Sequence, residues 1–293
     1  MNKLKKEEIT NLIFIIPLGI VFLLVIIIPF LQVIKLSFFK EALDGSLFFV
    51  GFRNYITLFQ KANFTEILIN SLYFTFGGVL LKVGGGFILA LILYKDFKFK
   101  NIFMFIVLIP WAIPFSISHI TWRWIYNALY GHLNSLLLHL RIIQAPLEWL
   151  SNPSFSLWGV LIANSWTGVP FCAFAILSGL YYIPLDLYAA ADIDGANAFQ
   201  KLSYVTLPLI KPVLLIVSTL TAIWTFNNFG AIWLMTQGGP VDYSTTLIVS
   251  IYRNEFEFNN SGYASALSVI SAIFLIVLAS YYVFYKQKES DLG

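Results

Sequence analysis

A single lysine interrupts the apolar run 67–93 of this chain: Lys82, followed closely by Gly84, Gly85 and Gly86. A lysine at the centre of a membrane helix costs about 2.5–3.5 kcal/mol on insertion scales. Such a side chain either snorkels to the nearer water face or is held by backbone carbonyls or water in a cavity. Two other apolar runs carry amides beside indoles, Asn164 with Trp166 and Trp224 with Asn227 and Asn228. Amides hydrogen-bond hydroxyls and indole faces stack on apolar rings, which is how a polyhydroxylated solute is gripped. The same residues also serve as polar contacts between helices. A third group is acidic: Asp186, Asp192 and Asp194 in the stretch 184–208. No set of residues points to catalysis. GxSxG and HExxH are missing, and His119, His132, His139 and the lone Cys172 lack metal-ligand spacing. No metal site is expected. No GxxxxGK[ST] phosphate loop occurs either, so no cofactor is expected on this chain.

The elements that hold these residues follow from composition. The chain is 59% hydrophobic and 11% charged over 293 residues, against about 25% charged in soluble domains. A membrane span needs about 20 mostly apolar residues. Six stretches qualify, giving expected spans at 12–34, 67–93, 102–122, 156–180, 212–236 and 263–285. A β-barrel is disfavoured because its strands alternate over about ten residues. The first run is too long for a signal-peptide core of about 7–15 residues and reads as a retained helix. The expected fold is an all-α integral membrane protein, one transmembrane domain over 1–293, with a loop at 181–211. With the N-terminus inside, ten lysines fall in inner segments and seven basic residues in the much longer outer ones. That matches the positive-inside rule and puts both termini and the 181–211 loop in the cytoplasm.

Within that loop, 185–193 are good helix formers. Gly195 is suited to a left-handed backbone and Asn197 to an N-cap. Phe199, Leu202 and Val205 give a second helix an apolar side, and Pro208 and Pro212 are expected to close it before the fifth span. Such a pair of amphipathic helices lies on lipid or fills a groove in another protein. Three acids before Lys201 favour the groove.

The residues "YAAADIDGANAFQKLSYVTLPLIKP" resemble the EAA loop of ABC importer permeases. Ala190, Ala191, Asp194, Gly195, Ala196, Leu207 and Pro208 match that signature, whereas Ala189 stands where the family has glutamate. "GFRNYITLF", "IPWAIPFSISHITWRWIYNALYGHLNSLL", "LMTQGGPVDYSTTLIVSIYRNEF" and "GYASALSVI" are similar to other segments of the carbohydrate-uptake group, in particular its maltose-permease-like subunit. The resemblance covers about residues 12–285. It implies a permease subunit in a bacterial or archaeal cell membrane, in contact with lipid. The implied partners are a second permease subunit, expected to be a different chain, two cytoplasmic ATP-binding subunits that carry the ATP, and an external sugar-binding protein. No nucleic-acid partner is implied. Asp186, Ala189, Ala190, Asp192, Asp194, Gly195, Leu207 and Pro208 would form the ATPase-coupling loop, with Asp192 or Asp186 replacing the missing glutamate and Asp192 expected to matter more. Asn164, Trp166, Trp224, Asn227, Asn228 and Lys82 would line the substrate path. Two rival readings remain: a secondary transporter of a small polar solute, or an ABC permease for a non-sugar solute such as a glycerol phosphate ester.

Overall fold

A computed structural model describes residues 15–42 and 45–290 of the chain. Lys3, Lys5 and Lys6, which support the orientation, and the first three residues of the first expected span lie outside the described residues. The described elements are helical apart from one hairpin, β1 Phe39–Glu41 paired antiparallel with β2 Leu47–Phe49 in the register Phe39↔Phe49. The helices are α1 Ile15–Leu36, α2 Arg53–Gln60, α3 Ala62–Tyr94, α4 Lys100–Ala112, α5 Phe115–Ile125 and α6 His132–His139. They continue as α7 Ser156–Tyr181, α8 Leu185–Ile193, α9 Ala198–Phe226, α10 Phe229–Met235, α11 Leu247–Tyr252 and α12 Ser261–Ser290. Among the described residues five helices are long and apolar enough to cross a membrane, or six if the bent pair α4–α5 is one span.

That bent pair departs from the expected straight span 102–122. α4 and α5 meet at 92°. Ile113 takes φ −71°, ψ 132°, because the ring of Pro114 excludes the helical region for the residue before it. The fifth expected span, 212–236, also differs. α9 ends at Asn227, and α10 begins after Asn228. Two adjacent asparagines make this break. Asn227 Nδ2 donates to the terminal carbonyl of Ile223 at 3.0 Å, while Asn228 Oδ1 accepts from the Ala231 N–H at 3.0 Å and caps α10. Asparagine side chains compete with the backbone in this way.

A third difference lies at the start of α9. Pro208 and Pro212 do not close the second loop helix; one helix of 29 residues runs from Ala198 to Phe226. A π-helical turn at Leu202–Thr206 ends two residues before Pro208. The wide turn makes room for a ring that a normal turn would crowd.

The chain divides into two compact units, Met1–Phe64 with Ser250–Ile273, and Thr65–Val249 with Phe274–Gly293. In the first, Asn54 Nδ2 donates to the carbonyls of Ser37 at 2.8 Å and Phe39 at 2.9 Å. A Cβ on Gly262 would meet the Phe39 carbonyl oxygen at 2.0 Å, so only glycine fits there. In the second, α7 is the most buried of the long helices. One apolar cluster gathers Phe74, Tyr126, Leu161 and Ile232, and another Leu93, Ile176, Leu180 and Ile210. Tyr126 and Trp149 stack at 5.9 Å within this unit, so they serve its core.

Candidate functional site

Two places in the larger unit hold the residues singled out above. The first is a polar layer among α3, α7 and α9. Lys82 is 6% exposed, and its Nζ donates to Thr225 Oγ1 at 2.9 Å. It neither snorkels nor binds a backbone carbonyl. Its stem lies where a Cβ on Gly168 would stand, 2.7 Å from Lys82 Cδ, so Gly168 on α7 gives the lysine its room. Cys172 Sγ and Thr221 Oγ1 are 3.5 Å apart, joining α7 to α9 one turn earlier. The Asn228 Nδ2 donates to Asn164 Oδ1 at 3.2 Å. Asn164 is 2% exposed, and its own Nδ2, like Ser165 Oγ, has no hydrogen-bond partner. Buried polar groups are otherwise satisfied, so these two atoms keep unused hydrogen-bonding capacity beside the Asn164–Asn228 bond.

The aromatic residues sit differently. Trp224 is 54% exposed with Phe171 edge-on at 5.1 Å, and Trp166 packs edge-on against Trp122 at 5.7 Å. Asn227 is exposed and committed to the end of α9. The structure therefore joins Asn164 to Asn228 and Lys82 to Thr225, and gives each indole a separate aromatic partner. Sequence reasoning missed Thr225 and Thr221 as members of the layer, and His119 as a buried polar group on α5. The four-residue spacing of Thr221 and Thr225 in an apolar helix was the available signal. His119 is fully buried, with Nδ1 2.8 Å from the Phe115 carbonyl. A carbonyl only accepts, so Nδ1 carries the proton there and Nε2, which has no partner, is a bare acceptor in the neutral ring.

The second place is the stretch 184–208. Gly195 adopts φ +74°. Its N–H donates to the Asp192 carbonyl at 3.1 Å and the Ala196 N–H to the Ala191 carbonyl at 2.9 Å, ending α8. Asn197 then opens α9 with a full capping box, its side chain and that of Gln200 each accepting from the other's backbone N–H. Tyr188 turns inward and shares a hydrogen bond with Thr206 at 2.9 Å, and Val205 packs beside it on the core. Leu185, Ile193, Phe199 and Tyr204 face outward, with Phe199 74% exposed. Ala189 and Ala190 are exposed as well. The acids are not equivalent. Asp192 is ion-paired with Lys201, which leaves Asp186, exposed in the first turn of α8, as the less committed carboxylate. Asp194 is the C-cap of α8, and Leu207 and Pro208 continue the helix of α9.

The sequence profile of the family described as "binding-protein-dependent transport system inner membrane component" matches residues 82–289. The chain belongs to this family. As a permease of that family it is 36% identical over 287 residues to the trehalose/maltose transport system permease protein MalF of Thermococcus litoralis, covering 97% of this chain and 96% of the relative. It is 31% identical to the arabinooligosaccharides transport system permease protein AraP of Bacillus subtilis, over 91% of this chain and 85% of the relative. The permease also shares its fold with a chain of a bacterial ABC transporter that imports the acidic polysaccharide alginate. That match has a TM-score of 0.83 at 21% identity, covering 97% of this chain and 96% of the other.

Proposed function

We propose that this permease forms half of the translocation path of an ABC importer for a sugar or oligosaccharide. In this reading both termini and the 184–208 stretch face the cytoplasm, a second permease subunit completes the path, two ATP-binding subunits drive it, and an external binding protein delivers the solute. The observation that carries the reading is the shape of that stretch. Two helices are locked at Gly195 and Asn197 while four large apolar side chains face outward, as a helix pair made to fill a groove would be. The named sugar permeases among its relatives support the solute class, as do the unspent donors around Asn164. Co-expression with the ATP-binding and second permease subunits, followed by sugar uptake into ATP-loaded proteoliposomes, tests it. Failure of ATP-binding subunits to co-purify would sink it.

The amide pair is the part of the path with the sharpest expectation. Asn228→Leu removes both the cap of α10 and the bond to Asn164, so Asn164→Leu serves as its companion. Each variant is expected to cut uptake about tenfold or more, a loss of roughly 1.4 kcal/mol of interaction with the solute, while complex yield falls less. Parental uptake from both would remove the pair from the path.

The coupling acids give a second expectation. Asp186→Asn should lower the stimulation of ATP hydrolysis by sugar-loaded binding protein severalfold. Asp192→Asn should do less, because it releases only an exposed pair that contributes about 0.2–1 kcal/mol. Stimulation lost in Asp192→Asn and kept in Asp186→Asn would reverse the assignment.

A further inference from the structure

Thr225 is held on every side in the polar layer. Its hydroxyl accepts from Lys82 Nζ at 2.9 Å, and its backbone carbonyl accepts from the Asn228 N–H at 3.1 Å. A Cβ on Gly78 would stand 2.7 Å from its methyl carbon. Gly78 and Lys82 are four apart on α3 and so share one face; together they clasp the last turn of α9. The clasp closes on itself. Asn228, three residues beyond Thr225, bonds Asn164, and Asn164 is four residues before Gly168, against which the Lys82 stem lies. The Lys82 ammonium bonds α9, its stem lies on α7, and the Asn164–Asn228 bond carries the connection to the start of α10.

That ammonium is a costly way to make a single bond. Lys82 has three donors and the hydrogen bond to Thr225 uses one; no carboxylate of the described residues pairs with it. Packing alone would be served better by an apolar side chain, since a buried charge gains little unless a partner neutralises it. The position of the bond shows what else it does. Thr225 is one residue from the end of α9, and α9 runs without a break for 29 residues from the capped start at Asn197. At about 1.5 Å per residue the helix spans roughly 44 Å. A displacement of the 184–208 stretch is therefore passed to Thr225 along one continuous helix, by way of the π-helical turn at Leu202–Thr206.

We infer that Lys82 is a positioning residue: through Thr225 it fixes the Asn227–Asn228 break and the Asn164–Asn228 pair, so that movement of the 184–208 stretch resets the path. The inference rests on the importer reading above. It gives Lys82 a role in coupling that acts through Thr225, distinct from direct contact with the solute.

The test uses the reconstituted full complex, with sugar taken up per ATP hydrolysed as the readout and complex yield as the control. Thr225→Val keeps the shape and removes the acceptor; Thr225→Ser keeps the acceptor and removes the methyl. Lys82→Met removes the donors. Thr225→Val and Lys82→Met are each expected to lower uptake per ATP by about fivefold or more, the lower end of ordinary coupling between sites. Thr225→Ser should restore most of it, and the double variant should be no worse than the worse single one. Should Lys82→Met fail to assemble, the Val and Ser variants at position 225 decide the matter alone. Equal ratios in Thr225→Val and Thr225→Ser, or an unchanged ratio in Thr225→Val, overturn the inference while leaving the importer reading intact. Absence of uptake by the parental complex overturns both.

Discussion

Gly195→Val is expected to abolish the stimulation of ATP hydrolysis by sugar-loaded binding protein. The residue holds φ +74°, and a Cβ there would meet nothing within 4 Å. The obstacle is therefore backbone strain and not a clash with neighbours. A left-handed conformation costs an ordinary L-residue about 1–2 kcal/mol, and a β-branched side chain is a genuine outlier there. The strain falls where it does most harm. The N–H groups of Gly195 and Ala196 close α8, and two residues later the Asn197 capping box opens α9. Relaxing Gly195 to negative φ would swing α8 against α9 and scatter Leu185, Ile193 and Phe199, the outward apolar residues. Gly195→Asn should keep most of the stimulation, because asparagine tolerates the left-handed region. The measurement is ATPase activity with and without loaded binding protein, alongside co-purification of the ATP-binding subunit. If Val and Asn at position 195 behave alike, the turn does not orient the docking helices.

What could be read from the sequence was set by local rules. Apolar runs of span length, the left-handed glycine and the asparagine cap are decided within a few residues, and the structure places Gly195 and Asn197 as those rules require. Two misreadings had local causes as well. Pro114 signals a break that a hydropathy run conceals, and Pro208 reads as a stop although a π-helical turn beside it lets the helix continue. The partner of Lys82 was of another kind. Thr225 lies 143 residues away, and a threonine in an apolar helix usually spends its hydroxyl on its own backbone. Nothing within reach of Lys82 along the chain could name it. The pairing of Asp192 with Lys201 was hidden by the turn at Gly195, which folds the second helix back on the first.

The run Gly84–Gly86 sharpens the same distinction between a motif and its use. Gly86→Val is expected to destabilise the packed protein markedly, while Gly84→Val leaves its stability near that of the parent. A Cβ at position 86 would stand 2.5 Å from Cys172 Cβ, 2.8 Å from the Ala173 backbone nitrogen and 2.9 Å from the Cys172 carbonyl carbon. Those are backbone and near-backbone atoms of α7, so no rotamer change relieves the contact. α3 and α7 must separate, and the bond between Cys172 and Thr221 is next to the gap. At position 85 the nearest atom is a Val169 methyl carbon at 3.2 Å, which has some freedom to move. At position 84 nothing lies within 4 Å. Overpacking in a well-filled interior costs about 1–3 kcal/mol, and in a bilayer the lost close approach has no hydrophobic gain to offset it. Detergent-solubilised protein should therefore melt markedly lower for Gly86→Val, with Gly85→Ala intermediate and Gly84→Val near the parent. If Gly84→Val and Gly86→Val destabilise equally, the glycines act through backbone flexibility, and the close approach of α3 to α7 is not what fixes them.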